Sequence, residues 1–298
     1  MTAMKDEHRA GLVAIVGRPN VGKSTLLNQL VGQKISITSR KPQTTRHRIT
    51  GILTRAEGQL IFVDTPGFQT EHRTAMTRLM NRSVRQALTQ VDVVVWVIEA
   101  GKWDPRDEAL LTLMPSAVPV VLAMNKTDRL KDKRALLPFT QQMSERHAFT
   151  AIIPISAEKD SQLDDLVNTI LPLLPEGPNM HSEDEVTTHS ERFLAAELVR
   201  EKLFRLLGDE LPYATAVEIE RFETTATMRT VNVAILVDKP NQKAIIIGKD
   251  GEKLKAIGTQ ARKDMERLFG SKVFLETWVR VRSGWADDEG VLKRMGIE

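Results

Sequence analysis

The chain has 298 residues, 41% of them hydrophobic, enough for about two domains with ordinary cores. Its 42 Lys and Arg against 39 Asp and Glu leave a formal charge of +3, too mild to mark the whole chain as a polyanion binder, and the lack of cysteine excludes disulfides and thiolate metal sites. No run approaches ~18 continuous apolar residues, so no bilayer-spanning helix is expected, and the polar, charged residues 1–11 do not read as a secretory signal.

Strands are predicted near 12–16, 47–54, 59–64, 91–98, 119–124 and 151–155, separated by helical patterns near 23–31, 74–90, 105–114, 132–147 and 161–174. Most strands are continuous apolar runs, such as Val93-Val94-Val95-Trp96-Val97-Ile98, as a mostly parallel sheet covered on both faces requires. Residues 175–190 carry two prolines and no Lys or Arg, and read as an acidic linker. Beyond it an amphipathic helix (192–207), strands (215–222, 230–237), a short helix (242–247), a longer helix (252–269) and a last strand (272–281) are predicted, in the order α-β-β-α-α-β.

Gly17-Arg18-Pro19-Asn20-Val21-Gly22-Lys23-Ser24 stands between the first strand and the first helix, where a phosphate-binding loop must sit. Its glycines let successive N–H groups turn toward phosphate oxygens, Lys23 reaches the terminal phosphates, the Ser24 hydroxyl ligates Mg²⁺, and Thr25 continues the contact. Asp64-Thr65-Pro66-Gly67, with Phe68, closes the strand at 59–64: Asp64 would touch the metal through water, and the Gly67 N–H would meet the γ-phosphate. Asn125-Lys126-Thr127-Asp128 follows another strand, and an aspartate there can accept from both the ring N–H and the exocyclic amine of guanine. Ser156-Ala157 would bring a backbone N–H near the guanine oxygen. GTP over ATP is the expected preference, because the wrong base would strand a buried carboxylate.

These residues resemble, in order and spacing, a translation-factor-related GTPase, and the loop is similar to that of the Era and Der ribosome-assembly GTPases. Arg40-Lys41-Pro42-Gln43-Thr44-Thr45-Arg46-His47-Arg48 is similar to the first switch of the Era family, which implies that Thr45, rather than Thr44, closes over Mg²⁺. Arg46, His47 and Arg48 read equally as a solvated basic loop. Where Ras-like enzymes carry a glutamine that orients water, this chain has Phe68, so slow unaided hydrolysis is expected, with Lys23, Thr45 and the Gly67 N–H as the catalytic set. The resemblance also implies K⁺ beside Asn20, standing in for an arginine finger.

Ile245-Ile246-Ile247-Gly248-Lys249-Asp250-Gly251-Glu252, set between two helices, resembles the signature of a bacterial-type KH RNA-binding domain. Two glycines at such a junction admit a nucleic-acid backbone, and the candidate RNA contacts are Ile246, Ile247, Gly248, Lys249, Asp250, Gly251 and Lys253. Ile257 is expected in the core, as is more of Ile246 and Ile247 than a base platform would need. Residues 191–298 hold 19 Lys and Arg against 18 Asp and Glu, but 239–282 hold 11 against 5, a local surplus of 6 around the loop. Residues 283–296 are similar to the Era tail, and Trp285 either stacks on a base or pins the tail.

The expectation is thus an α/β P-loop GTPase domain with a mostly parallel sheet (1–175), a linker (176–190) and a smaller α+β KH domain with its tail (191–298). What the resemblance implies is a GTP-to-GDP switch that binds the 3′ end of the small-subunit ribosomal RNA and assists small-subunit assembly. It would be a cytoplasmic monomer with no DNA partner and with peripheral contact to the inner membrane. The alternative is a nucleotide-switched adaptor at the membrane or division machinery. A metabolic kinase is disfavoured by the guanine-reading residues.

Overall fold

The computed structural model describes residues 8–42, 44–68, 75–208 and 210–285; Gln43 and the tail from 286 on lie outside them. The chain packs as two units, one formed within Met1–Ser36 and Thr45–Thr188, the other within Ile37–Thr44 and His189–Glu298.

In the first unit, β1 (Arg9–Val16), β2 (Ile49–Arg55), β3 (Gly58–Asp64), β4 (Val93–Glu99), β5 (Val120–Asn125) and β6 (Ala151–Pro154) form one sheet in the order β2-β3-β1-β4-β5-β6. Every pairing is parallel except that of β2 with β3. Val93 to Ile98 are all buried, as the unbroken apolar run requires of a strand covered on both faces. The helices are α1 (Lys23–Val31), α2 (Ala75–Thr89), α3 (Pro105–Leu111), α4 (Leu136–Ser144) and α5 (Leu163–Ile170). α4 and α5 fall furthest short of their apolar patterns. The 132–147 pattern opens as a single 3₁₀ turn, Lys133–Ala135, with Asp132 capping the Arg134 N–H, and Pro138 falls within the first turn of α4 where its missing N–H costs nothing. The 161–174 pattern passes from α5 into a 3₁₀ turn, Leu171–Leu173, at Pro172.

The acidic segment after α5 lies along the first unit: the Ile52 N–H donates to Val186 O (2.9 Å), Thr187 Oγ1 donates to Thr50 O (2.6 Å), and Gln59 accepts from the N–H groups of Met180 and His181 (2.9 Å each).

The second unit has α6 (Glu191–Leu206), β7 (Thr215–Thr224), β8 (Met228–Val237), α7 (Pro240–Ile247), α8 (Glu252–Phe269) and β9 (Lys272–Val281), the predicted α-β-β-α-α-β order. Its sheet runs β7-β8-β9, antiparallel then parallel, with a register shift between Ile219 and Arg221. Its core draws Leu198, Val199 and Leu203 from α6, Ile257, Ala261 and Met265 from α8, and Val231, Val233 and Ile235 from β8.

The pattern at 192–207 predicts an amphipathic helix, yet Glu197, Arg200, Glu201 and Lys202 of α6 are buried. Part of the reason is the strap Ile37–Thr44, which belongs to this unit: the Thr38 N–H donates to Glu201 Oε1 (3.0 Å), Lys41 Nζ donates to Leu207 O (2.6 Å), and Tyr213 Oη donates to Pro42 O (3.1 Å). The buried charges are paired, Arg200 with Glu197 (2.6 Å) and Lys202 with Glu201 (2.7 Å) and Asp264. Trp285 is 2% exposed and packs inward, which favours pinning over stacking on a base. Among the described residues no helix is long and apolar enough to cross a membrane.

Candidate functional site

The loop after β1 is built where side chains cannot go. Gly17 has φ +153° and a Cβ there would lie 2.3 Å from Val97 O; Gly22 has φ +104° and a Cβ would lie 2.3 Å from Asn125 Nδ2. α1 starts at Lys23, so the loop delivers its ligand to a helix N-terminus, where N–H groups lack intrahelical partners. Lys23 is buried and its Nζ donates to the carbonyls of Gly17 (2.9 Å) and Arg18 (3.0 Å). Burial pushes the Lys23 amine down to about 8, against the pull of Asp64.

At the foot of this loop three oxygens meet. Ser24 Oγ donates to Asp64 Oδ2 (2.7 Å) and lies 2.8 Å from Thr45 Oγ1, which must then be the donor, since Ser24 has one hydroxyl hydrogen. Ser36 Oγ also donates to Asp64 Oδ2 (3.2 Å), while Asp64 Oδ1 is buried with no hydrogen-bond partner. Burial raises the Asp64 carboxyl to about 6, opposed by Lys23 and the two serines. Hard oxygen donors around an orphaned, desolvated carboxylate oxygen suit Mg²⁺. Thr44, the other threonine of the pair, instead turns its hydroxyl onto Lys41 O (2.7 Å).

The segment from Asp64 to Phe68 passes close beside the loop. Thr65 donates twice to Ile15 O, from its N–H (3.3 Å) and its hydroxyl (3.0 Å), and the Phe68 N–H donates to Gly17 O (3.3 Å). Pro66 is buried beside them, and a Cβ on Gly67 would meet Pro19 at 2.8 Å, so only glycine lets the two backbones come this near. The Phe68 ring packs into the core with Trp96 and Val84.

The turn after β5 is tied to the same loop. Asn125 Nδ2 donates to Val21 O (2.8 Å), and its Oδ1 accepts from the N–H groups of Lys126 (2.8 Å) and Ala157 (2.9 Å). The Ala157 N–H, from the pair expected to bring an N–H near the guanine oxygen, supports Asn125 here. Lys126, at φ +67°, sends Nζ to Asn20 O (2.6 Å) and Glu99 Oε2 (2.8 Å). Thr127 Oγ1 donates to Ile155 O (2.9 Å), and Asp128 Oδ1 accepts from Ser156 Oγ (2.5 Å).

Three residues of this edge are absent from the motif reading. Ser36 reaches Asp64, Glu99 ends β4, and Asp107 on α3 accepts from Arg18 Nε (3.1 Å) while fully buried. For Glu99 a signal existed: a carboxylate closing an apolar strand on the edge where Asp64 and Asn125 close theirs. Arg46 and His47, for which a solvated loop is the alternative to a switch segment, are buried at 7% and 9% exposure.

In the second unit, α7 ends at Gly248 (φ +75°), a 3₁₀ turn carries Lys249–Gly251 with Asp250 at φ +51° and Gly251 at φ +77°, and α8 follows. A Cβ on Gly248 would press on Lys253 Cβ at 2.8 Å. Lys249 and Asp250 are exposed, whereas Gly251 and Lys253 are half-buried. Ile246 follows the core reading and not its place among the candidate RNA contacts. It is fully buried with Ile257 and holds the loop from beneath, because helical spacing turns it inward; Ile247 is half-buried and Ile245 is the exposed one.

Residues 12–126 match the family described as 50S ribosome-binding GTPase, and residues 210–286 match the KH domain family. The chain is 58% identical to GTPase Era of Xanthomonas axonopodis pv. citri over the full length of both chains. It is 57% identical to GTPase Era of Nitrosomonas eutropha over 98% of each. Among solved structures it resembles Aquifex aeolicus Era bound to GDP and AlF₄⁻ (TM-score 0.93, 41% identity, 97% of this chain and 99% of that one). It equally resembles Era in complex with MgGDPNP and nucleotides 1506–1542 of 16S ribosomal RNA (TM-score 0.93, 40% identity, the same coverage). With a glycine-rich loop ahead of α1, an Asn-Lys-Thr-Asp turn after β5 and a Gly-x-x-Gly helix junction on one chain, and with identity running from end to end, this protein belongs to the Era family of GTPases, a P-loop GTPase domain followed by a KH domain.

Proposed function

We propose that this GTPase uses GTP hydrolysis to control its grip on the 3′ end of small-subunit ribosomal RNA, and so assists assembly of the small ribosomal subunit. The observation that carries the reading is the meeting of Ser24, Thr45 and the orphaned Asp64 oxygen beneath the phosphate loop, in a chain whose relative holds MgGDPNP and 16S ribosomal RNA together. We keep 1–175 as the nucleotide half and 191–298 as the RNA half, joined by 176–190.

Residues 17–25 cradle the phosphates, with Lys23 leaving the Gly17 and Arg18 carbonyls for the terminal phosphate. Ser24 and Thr45 would hold Mg²⁺ directly and Asp64 would hold it through water. Mg²⁺ held there would supply charge neutralisation to the phosphates. Asp128 accepts from the guanine N–H groups, held by Ser156, while Asn125 with Ala157 and Thr127 braces the turn. The Gly67 N–H meets the γ-phosphate, beside Thr65 and Pro66. Phe68, turned into the core, offers no group to orient water, so unaided turnover is slow and K⁺ at Asn20 raises it.

Thr45 follows the strap Ile37–Thr44 directly, and the strap packs with the second unit. Ordering of Thr45 by a γ-phosphate then biases the strap, a population shift that alters how Gly248 to Gly251, Lys253 and Ile247 present themselves to RNA. The protein works as a monomer in the cytoplasm, where its RNA is, and needs no DNA.

The test is calorimetry with Mg²⁺ present, GTP against ATP, followed by titration of a small-subunit 3′-end RNA, a DNA of the same sequence and anionic vesicles. The expected result is a strong preference for GTP, and RNA binding that depends on the nucleotide state. Equal binding of GTP and ATP overturns the reading, and preference for the vesicles over RNA supports the adaptor instead. Equal hydrolysis rates in potassium and sodium buffers, for wild type and Asn20→Ala alike, remove K⁺ from the mechanism.

A further inference from the structure

The two loops that would grasp opposite ends of a nucleotide come from distant parts of the chain, and one of the groups that hold them together lies outside the motifs. Lys126 Nζ spans the gap, donating to Asn20 O of the phosphate loop (2.6 Å) and to Glu99 Oε2 (2.8 Å). Glu99 closes β4, between β1, which feeds the phosphate loop, and β5, which feeds the base turn. Its side chain is 17% exposed and its other oxygen accepts from Lys102 Nζ (2.5 Å), while Arg18 of the phosphate loop approaches to 4.0 Å. Burial alone would raise its pKa, but the hydrogen bonds from Lys102 and Lys126 bring the Glu99 carboxyl down to about 2. It is therefore a permanent anion in the physiological range.

An ammonium group with one acceptor can swing about its four-carbon stem; with a carbonyl and a fixed carboxylate on two sides it cannot. The carboxylate is itself rooted in a strand whose residues 93–98 are buried, so the fixed point is rigid. We propose that Glu99 is a positioning residue for guanine-nucleotide binding: it pins Lys126 across the phosphate loop and so sets the spacing between the phosphate-binding and base-reading ends of the site before the nucleotide arrives. The inference rests on the guanine-nucleotide reading of that site. Glu99 touches neither the γ-phosphate ligands nor the metal ligands, so its loss acts on nucleotide retention and not on the bond-breaking step.

The experiment measures release of a fluorescent GDP and steady-state GTP hydrolysis for wild type, Glu99→Ala, Glu99→Gln, Lys102→Ala, Lys126→Ala and the Glu99→Ala/Lys126→Ala double variant, each with its active fraction titrated. Loss of one charge-assisted hydrogen bond predicts release about tenfold faster for Glu99→Ala, a matching rise in KM and kcat within about twofold. Glu99→Gln, which keeps an acceptor and the volume, should release a few-fold faster, and it also gives the answer if Glu99→Ala does not fold. Lys102→Ala, which removes the solvent-facing partner, should stay within about twofold of wild type. In the Lys126→Ala background Glu99→Ala should add nothing, because the interaction it served is gone.

The inference is overturned if the Glu99 variants release GDP at the wild-type rate, if Lys102→Ala matches Glu99→Ala, if kcat falls with unchanged KM, or if the Glu99→Ala effect persists undiminished without Lys126. A wild-type chain that retains no guanine nucleotide refutes the underlying site reading itself, and is told apart from those results by the first measurement.

Discussion

The nucleotide edge and the RNA loop use glycine for opposite ends. At the nucleotide edge Gly17, Gly22 and Gly67 are required because other parts of the protein occupy the space: Val97 O, Asn125 Nδ2 and Pro19 each stand within 2.8 Å of where a Cβ would be. At the helix junction Gly251 has nothing within 4 Å of its missing Cβ, and Gly248 has only its own neighbour Lys253 within 3.4 Å. The first site is a set of backbone segments locked on one another and closed from below by Asn125, Lys126 and Asp64. The second is an open turn whose glycines supply positive φ and leave room for something external. A site built by internal contacts fails when any one contact is broken; a site built by openness fails only when it is filled.

The sharpest way to break that contrast is Gly22→Ala. The added methyl collides with Asn125 at a position of φ +104°, so it parts the phosphate loop from the base turn, and guanine-nucleotide affinity should fall by roughly a hundredfold or more by calorimetry. RNA binding without nucleotide should be unchanged. A fall of only a few-fold would mean that the loop tolerates separation from Asn125.

The charges of the first site give the next effect. Asp64 keeps its proton up to about 6 in the folded chain, against 3.8 for the unfolded group. Between those values the folded state binds more protons, so stability without nucleotide falls as pH rises through the window, by up to about 3 kcal/mol once both states are ionised. Lys23 acts the other way: held near 8 against 10.5, it makes stability rise with pH above about 8. Urea midpoints measured from about pH 4 to pH 7 should decline for wild type, and Asp64→Asn should remove that decline. An identical slope in both chains would show that the Asp64 carboxyl is not held in this desolvated state.

At the open site Gly248→Asp puts both a carboxylate and a side chain against Lys253 where an RNA backbone would approach, and should cost ten- to thirtyfold in RNA affinity, about 1.5–2 kcal/mol. GDP affinity should move less than about twofold. Smallest is Lys253→Ala, which should weaken RNA binding a few-fold and lower the slope of log K against log salt by about 0.7 if it neutralises one phosphate. A slope that does not change would assign Lys253 to packing under Gly248 instead.

The motif residues of the nucleotide edge were legible because their chemistry is local: a strand end, a glycine, a hydroxyl or carboxylate at set spacing, each read without knowing the rest of the chain. Ser36 and Asp107 were not, since nothing in their own neighbourhoods distinguishes them from solvated polar residues, and Glu99 carried only the mark of a carboxylate closing an apolar strand. They become site residues only when β1, β3, β4 and β5 bring strand ends to one edge. For Arg46 and His47 the sequence leaves a switch loop and a solvated loop both open, as a run of cations looks solvated until burial is known. At the RNA loop the Gly-x-x-Gly and its two helices were plain, but of three consecutive isoleucines the sequence could not say which faced in; the turn of α7 buried Ile246 and exposed Ile245.

Secondary structure order, the two sheets' strand content and the guanine and phosphate signatures come from hydrophobic period and turn chemistry, which act over a few residues and so survive in a linear string. The fate of the strap Ile37–Thr44, the burial of the charged face of α6, and the joining of Lys126 to Asn20 and Glu99 come from contacts between residues far apart in the chain. Such contacts depend on which surfaces meet once the chain is folded, and burial, which decides whether a charge is paired or solvated, exists only then.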